Sequence, residues 1–312
     1  MHNGVEHLSA AIESLLDQRY GDWQAVLVDD ASTDATLQLA RSLARRDPER
    51  ISVLALERNL GVAGARSAAI DAGARTELVA LLDQDDLLLE DFLERCVAAY
   101  DAAVAAGRRV GIVACNARLL DPAGMREQTF ADVYGWTDVV DYDHMIQRNC
   151  ICARALFSRD AYAVAGGFVS ETQPADDYDL WLRMLEAGYE VATIRRPLAV
   201  YRLHPMATSR DVGRMARSLL LAHERALARG AISPRQRRAI RERMRHNRAL
   251  SERARVREAI AERRPLTVAA RALRALPYGA IALLQRPSRW PEWARDVLGR
   301  PRPASVGLVA RD

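Results

Sequence analysis

Twice in its first half the chain runs an apolar segment straight into carboxylates. Ala25-Val26-Leu27-Val28 ends in Asp29-Asp30, and Leu78-Val79-Ala80-Leu81-Leu82 ends in Asp83-Gln84-Asp85-Asp86. Short apolar runs bounded by acids read as buried strands that deliver charged side chains to one edge of a sheet. Around them the spacing is that of helices. Leu8, Ile12, Leu15 and Leu16 share one helical face, and Ser32-Thr33-Asp34 can cap a helix continuing through Leu37, Leu39, Ala40 and Leu43. A strand follows at 51–56, a helix near 62–72, another from Glu90 to Ala106, and a strand at 110–115. This alternation predicts an α/β fold, a mostly parallel sheet flanked by helices. Ligands of such sheets bind beyond the carboxyl ends of the strands, where both acid clusters lie.

Three like charges within four residues repel unless a cation, or a ligand carrying one, stands between them. Hard divalent ions take carboxylate oxygens and are completed by phosphate oxygens. The segment 83–86 therefore reads either as the meeting place of a metal and a phosphorylated ligand or as a solvated acidic turn. An EF-hand loop is excluded, because Leu88 stands where the turn glycine belongs and Leu87 where the third oxygen ligand belongs. No window reaches ~18 uninterrupted apolar residues, and the N-terminus lacks the basic start and apolar centre of a signal peptide, so a cytoplasmic protein is expected. Cys96, Cys115, Cys150 and Cys152 show no metal-type pair of pairs and read as reduced core residues. All 45 basic residues are arginines. Residues 1–210 hold 21 of them against 32 carboxylates, a net −11, whereas 211–312 hold 24 against 9, a net +15. An acidic body thus carries a basic tail.

The motifs carry a further signal. Val28-Asp29-Asp30-Ala31-Ser32-Thr33-Asp34, Asn59-x-Gly61-x-x-x-Ala65-Arg66 and Leu82-Asp83-Gln84-Asp85-Asp86 follow in that order, and Gly166-Gly167-Phe168 comes later. Asp176-Asp177-x-Asp179-Leu180-Trp181-Leu182-Arg183 and Tyr201-Arg202-x-His204 complete the series. In order and spacing the chain resembles the inverting family 2 glycosyltransferases of the GT-A fold over about residues 2–210. The resemblance implies a Rossmann-like nucleotide-sugar-binding half (1–116), an acceptor and catalytic half (117–210) and, beyond it, a basic helical C-terminal region (211–312). It also implies transfer of a sugar from a nucleotide-sugar, a UDP-sugar first among candidates, to an acceptor hydroxyl with Mn2+ or Mg2+. The acceptor would be lipid-linked or a glycan, in cell-surface polysaccharide synthesis.

Residue by residue, the resemblance places Asp30 at the donor's base, Asp83 at its ribose and Arg66 at the nucleotide or its phosphates. Asp85 becomes the metal ligand with Asp86 assisting, and His204 completes the metal or diphosphate site. Asp177 becomes the general base that takes the acceptor's proton. The structural alternatives are an Asx turn at Asp29-Asp30, a surface helix residue for Arg66, and helix capping for Asp176 and Asp177. Gly166-Gly167 reads either as a close backbone approach to a ligand or as an ordinary turn.

One departure stands out. Members of the family open with an apolar strand ending in Pro-x-Tyr-Asn, whereas this chain opens Met1-His2-Asn3-Gly4. A chain lacking that central strand is expected to lose much of its core burial and to expose neighbouring strand edges. In the tail, 235–262 is an Arg-rich helical stretch, 266–284 mixes apolar residues with Arg271 and Arg274, and Trp290 and Trp293 follow. These suggest helices lying on an anionic membrane at its inner face, with a helical hairpin packed on the body as the alternative. Nothing resembles a base-reading module, so nucleic acid is not an expected partner. Two other functions compete: a nucleotidyltransferase of similar sheet and acids, and a non-catalytic nucleotide-sugar-binding protein.

Overall fold

The computed structural model describes residues 1–73, 76–203 and 211–261. Helix α1 (Leu8–Leu16) buries Leu8, Ala11 and Ile12, the face its spacing predicts. Strands β1 (Ala25–Asp29) and β2 (Ile51–Ala55) pair in parallel, Ala25 opposite Ile51 and Asp29 opposite Ala55. The crossover is α2 (Thr36–Ala44), which starts later than Ser32-Thr33-Asp34 suggests, Ala35 being its N-cap. Asp34 still serves that end, its Oδ1 accepting the Thr36 N–H at 2.9 Å. Helix α3 (Gly61–Ala72) then packs on β1.

The larger sheet is built from β3 (Leu78–Ala80), β4 (Leu87–Leu88), β5 (Val110–Asp121), β6 (Gly124–Thr129), β7 (Leu156–Ser158) and β8 (Glu190–Arg202). Its order is β3-β7-β5-β8-β4, with β6 on β5. Only β5 and β8 run parallel in it; the β3–β7, β7–β5, β8–β4 and β5–β6 pairs are antiparallel. The α/β layering is therefore as expected, while the pairing is mixed rather than mostly parallel. The antiparallel partners come from segments with little apolar periodicity: β6 is polar, and β7 and β4 are too short to show a pattern.

Along β5, alternate residues enter two separate cores. Val113 and Cys115 pack with Phe92 and Cys96 of α4 (Phe92–Ala105), whereas Ile112 and Ala114 pack with Leu180 and Trp181 of α8 (Asp176–Glu186). Burial on both faces explains why 110–115 is apolar without interruption. All four cysteines are free and buried, as their sequence context suggests. Between β6 and β8 lie three more helices, α5 (Phe130–Tyr134), α6 (Tyr142–Gln147) and α7 (Arg159–Ala165). Gly166 ends α7 in the left-handed region, and the Gly167 N–H returns to the Tyr162 carbonyl, so this glycine pair is a helix stop.

Two helices follow, α9 (Val212–Arg229) and α10 (Pro234–Ala261), packed against each other. Ala222, Ala226, Ile240 and Met244 join the core beneath α8, so this part of the basic region is docked on the body. Residues 266–284, Trp290 and Trp293 lie outside the described residues. Among the described residues no helix is long and apolar enough to cross a membrane.

Among the described residues the two sheets do not join. β1 carries β2 on one edge, and β3 carries β7 on one edge. On the other edge of β1 sits Met1, whose ammonium donates to the Val28 carbonyl at 2.5 Å while its own carbonyl accepts the Asp30 N–H at 2.7 Å. That is one rung of a parallel ladder. Beyond Met1, Ala25–Val28 and Leu78–Leu82 face a common cavity of about 2230 Å³ that also reaches Ile12, Trp23 and both acid clusters. Among the described residues no strand lies along either edge. Leu78 and Val79 are only half-buried and Ala80 is exposed, whereas the sequence predicts a fully buried strand here.

Candidate functional site

The cavity collects side chains from the ends of β1 and β3, the first turn of α3, the start of α8 and the loop before β7. Asp30 directly follows β1 and is 4% exposed. Its Oδ1 accepts the Leu60 N–H at 2.6 Å and its Oδ2 the Gly61 N–H at 2.9 Å, so the carboxylate holds the entry of α3. Gly61 takes a φ of +74°, and a side chain there would collide with Gln173, which precedes α8. The contact ties the β1 edge to the start of α8. Met1 to Gly4 close the same rim: Gln84 exchanges hydrogen bonds with the His2 backbone, Asn3 Oδ1 accepts the Thr33 N–H, and the Gly4 N–H donates to Thr36 Oγ1.

Arg66, on α3, reaches across the cavity floor. Its Nη2 donates to Asp83 Oδ1 at 2.8 Å and its Nη1 to Asp176 Oδ2 at 2.9 Å, joining the end of β3 to the start of α8. The sequence reading has Arg66 facing a nucleotide; here its guanidinium is shared between two carboxylates. Arg154, in the loop before β7, approaches from the other side, its Nη2 at 2.6 Å from Asp83 and its Nη1 at 2.7 Å from Asp86. Its guanidinium also lies 4.8 Å from the centre of the Tyr201 ring.

These two arginines change the electrostatics of the acid segment. Burial pushes the Asp83 carboxyl up, but Arg66 and Arg154 outweigh it and hold it well below its ordinary range. Asp86, 1% exposed, goes the other way: burial, reinforced by Asp83 and Asp85, outweighs Arg154 and lifts it to about 7. The mutual repulsion that the sequence assigns to a cation is thus offset in large part by guanidinium groups. Asp85 is half-buried and lines the cavity, and its backbone carbonyl accepts from Arg202 Nε at 2.9 Å. The Arg202 N–H bonds Asp86 Oδ1 at 2.8 Å, so the end of β8 is stitched to the acid turn. No group of three or more His, Cys, Asp or Glu side chains converges as a metal cage among the described residues. His204 lies outside them.

At the start of α8, Asp176 is 1% exposed and bound to Arg66, and Asp177 is half-buried on the cavity wall. Burial first, then the adjacent Asp176, raises Asp177 to about 6 against the pull of Arg66 and Arg154. α8 is held rigidly: Leu180, Trp181, Leu182 and Met184 are fully buried, and Asp179 pairs with Arg183 at 2.9 Å and lies within 4 Å of Arg225 and Arg229 of α9. A carboxylate at the start of so fixed a helix can accept a proton at one defined point of the cavity.

Asp30, Arg66, Asp83, Asp85 and Asp177 therefore share one cavity. Arg154 and Arg202 are the residues that sequence reasoning left without a role. The signal for Arg154 was present, since it is a lone charge within Cys150-Ile151-Cys152-Ala153-Arg154-Ala155-Leu156-Phe157. A charge inside a segment that must be buried needs partners.

The chain is similar to several known proteins. The chain is 28% identical over 201 residues to EpsE of Bacillus subtilis (strain 168), named as a glycosyltransferase, covering 64% of this chain and 69% of that protein. It is 40% identical over 125 residues to the succinoglycan biosynthesis protein ExoO of Rhizobium meliloti (strain 1021), covering 40% of this chain and 34% of ExoO. In fold it is similar to the mannosyltransferase PcManGT of Pyrobaculum calidifontis, solved with GDP-Man and Mn2+, at a TM-score of 0.64 and 21% identity, with 96% and 83% of the two chains covered. S. aureus TarS 1–349, solved with UDP-GlcNAc, matches at a TM-score of 0.63 and 14% identity, with 82% and 78% covered. The family model for glycosyl transferase family 2 matches residues 1–163, which takes in β1 with Asp30, Arg66, the whole Asp83–Asp86 turn and Arg154. On that match the chain belongs to glycosyltransferase family 2.

Proposed function

We propose that the chain moves a sugar from a nucleotide-sugar, most simply a UDP-sugar, to an acceptor hydroxyl with inversion, using Asp177 as the base, in cell-surface polysaccharide synthesis. The observation that carries this reading is the single cavity that holds Asp30 and Asp83 on its β1–β3 side and Asp177 at the start of α8. Asp30 and Asp83 supply carboxylate oxygens to the hydroxyl and N–H donors of a nucleoside, Asp83 being 31% exposed at its side chain and so within a ligand's reach. Asp177, lifted toward neutrality, takes the acceptor's proton as its oxygen attacks the anomeric carbon and the nucleoside diphosphate departs.

A divalent cation fits this chemistry through few protein ligands. Asp85, which lines the cavity, would hold it, with His204 as the further candidate and diphosphate oxygens as further ligands. When bound, the cation neutralises charge developing on the leaving diphosphate. Two solved proteins of similar fold, one in complex with GDP-Man and Mn2+ and the other with UDP-GlcNAc, support a nucleotide-sugar donor.

The test begins with a thermal-shift screen of nucleotide-sugars with Mn2+, in which the true donor raises Tm by mass action. With that donor, nucleoside diphosphate release should appear in wild type and fall about 10²–10⁴-fold in Asp177→Asn, with donor affinity unchanged. Retained turnover in that variant removes Asp177 as base, and release of pyrophosphate identifies a nucleotidyltransferase instead. Asp85→Ala should weaken donor binding only when metal is present.

A further inference from the structure

The cavity has a third wall, formed by one stripe of α10 and the end of α6, that the donor and the base leave unused. Ala239, Arg243, His246 and Leu250 recur at helical spacing along α10 and face the cavity, and Arg148, the C-cap of α6, faces it too. Most charged groups inside this protein are matched. Arg229 has Glu186, Arg183 has Asp179, and Arg66 and Arg154 have the acids of the β3 turn. Arg243 is half-buried yet forms no hydrogen bond or ion pair with any described residue. The Arg148 side chain lies over Gly135, where any Cβ would collide with it, and makes no ion pair either. Burial lowers the Arg243 pKa, with Arg148 adding to it against the opposing pull of Tyr178 and Glu242, and burial together with Arg243 and Arg253 holds His246 down to about 4. Positive charge therefore outweighs negative on this wall: Glu242 of α10 also lines it and acts on Arg243, but it is exposed and bonds neither arginine. Such a wall lowers its own energy by taking up an anion.

We propose that Arg148, Arg243 and His246 bind a phosphate group carried by the acceptor, so that the acceptor lies with its anion on α6–α10 and its hydroxyl toward Asp177. The acceptor assignment rests on the transferase reading above; the site itself does not. Two guanidinium groups from different elements suit a tetrahedral polyanion, whose oxygens accept from several directions at once. The stripe lies near the residue after the proposed base: the charge of Arg243 acts on the Tyr178 hydroxyl, which bonds the Met145 carbonyl at 3.0 Å. Donor-side residues sit on other elements, so the two anions need not compete.

The test uses the full chain with inorganic pyrophosphate as probe, by calorimetry in saturating UDP, and vesicles of phosphatidylcholine with and without phosphatidic acid, by cosedimentation. Arg243→Met should weaken one or both by at least about tenfold, Arg243→Lys should lose less, and UDP affinity should not change. Loss confined to vesicles identifies the source as a lipid headgroup, and loss confined to pyrophosphate identifies a soluble phosphorylated acceptor. Arg148→Met, at an exposed position, reads the same loss if Arg243→Met does not fold. Wild-type binding of both probes in both variants overturns the proposal, as does pyrophosphate binding that saturating UDP abolishes. Because binding is read without turnover, this result and the assignment of Asp177 stand or fall separately.

Discussion

Asp177 and Arg154 show how single residues set the chemistry of this cavity. With its carboxyl raised to about 6, Asp177 is half-protonated near that pH, and only its ionised form can accept a proton. The rate kcat/KM should therefore fall about tenfold per pH unit below 6 and level off above it, a profile read from initial rates at fixed metal. The linkage for stability has the opposite sense. A carboxyl whose folded pKa lies above its unfolded value favours the fold while protonated, and that contribution is lost as pH rises through about 6. Asp177→Asn should accordingly melt higher than wild type at pH 8, with the gap closing as pH falls below 6. Arg154 carries the converse lesson. Its removal leaves Asp83 and Asp86 facing each other in a buried turn with one guanidinium fewer, so Arg154→Met should cost about 3–5 kcal/mol in denaturant unfolding. Lysine, a point charge with no fork, should recover only part of that, because it cannot meet both carboxylates in plane.

At the scale of elements, what the sequence made legible was whatever combined periodicity with a local stop. The first helix, β1, β2, α3, α4 and the long polar α10 stand close to where apolar spacing puts them, and the clusters at Asp29-Asp30 and Asp83–Asp86 sit at strand ends as expected. β4, β6 and β7 were not legible, since strands of two to six residues, one of them largely polar, give period-two patterning nothing to act on. The partners of the site acids were harder still: Arg66 reaches Asp176 across 110 residues, and Arg154 reaches Asp83 across 71. Spacing along a chain holds no record of which distant guanidinium neutralises which carboxylate. The docking of α9 on α8 belongs to the same class. Asp179, fully buried, faces Arg183, Arg225 and Arg229. Asp179→Asn should leave Glu186, paired with Arg229, as the remaining counter-charge for that cluster and loosen α9 before the rest, visible as faster amide hydrogen exchange over 212–229 at a Tm lowered by several degrees.

For the molecule as a whole, the decisive feature is that two sheets share one cavity without sharing a strand. Met1 already makes the bonds of a parallel strand residue against Asp29, with Val28 and Asp30 as its partners. Upstream of its ammonium, the edges at Ala25–Leu27 and Leu78–Ala80 run along the cavity with apolar side chains on either side, among them Ile12, Trp23 and Ile70. That ammonium itself is pushed by burial to a lower pKa, opposed by Asp83, Asp30 and Asp29. An engineered extension of five or six Val and Ile residues ahead of Met1 can continue the register, pair with both edges and bury side chains on both faces, as the middle strand of a parallel sheet does. Each side chain so buried contributes about 1.5–3 kcal/mol against about 1–2 kcal/mol of backbone ordering, and the ladder bonds add to the balance. Tm should rise by about 2–4 °C for every kcal/mol of net gain, and donor affinity should rise with it, because Asp30 and Asp83 flank the same edges. A Gly-Ser extension of equal length should do neither. Equal melting of the two extended chains would mean that the edges beside the cavity are already as stable as they can be, and that the site acids do not depend on a strand between them.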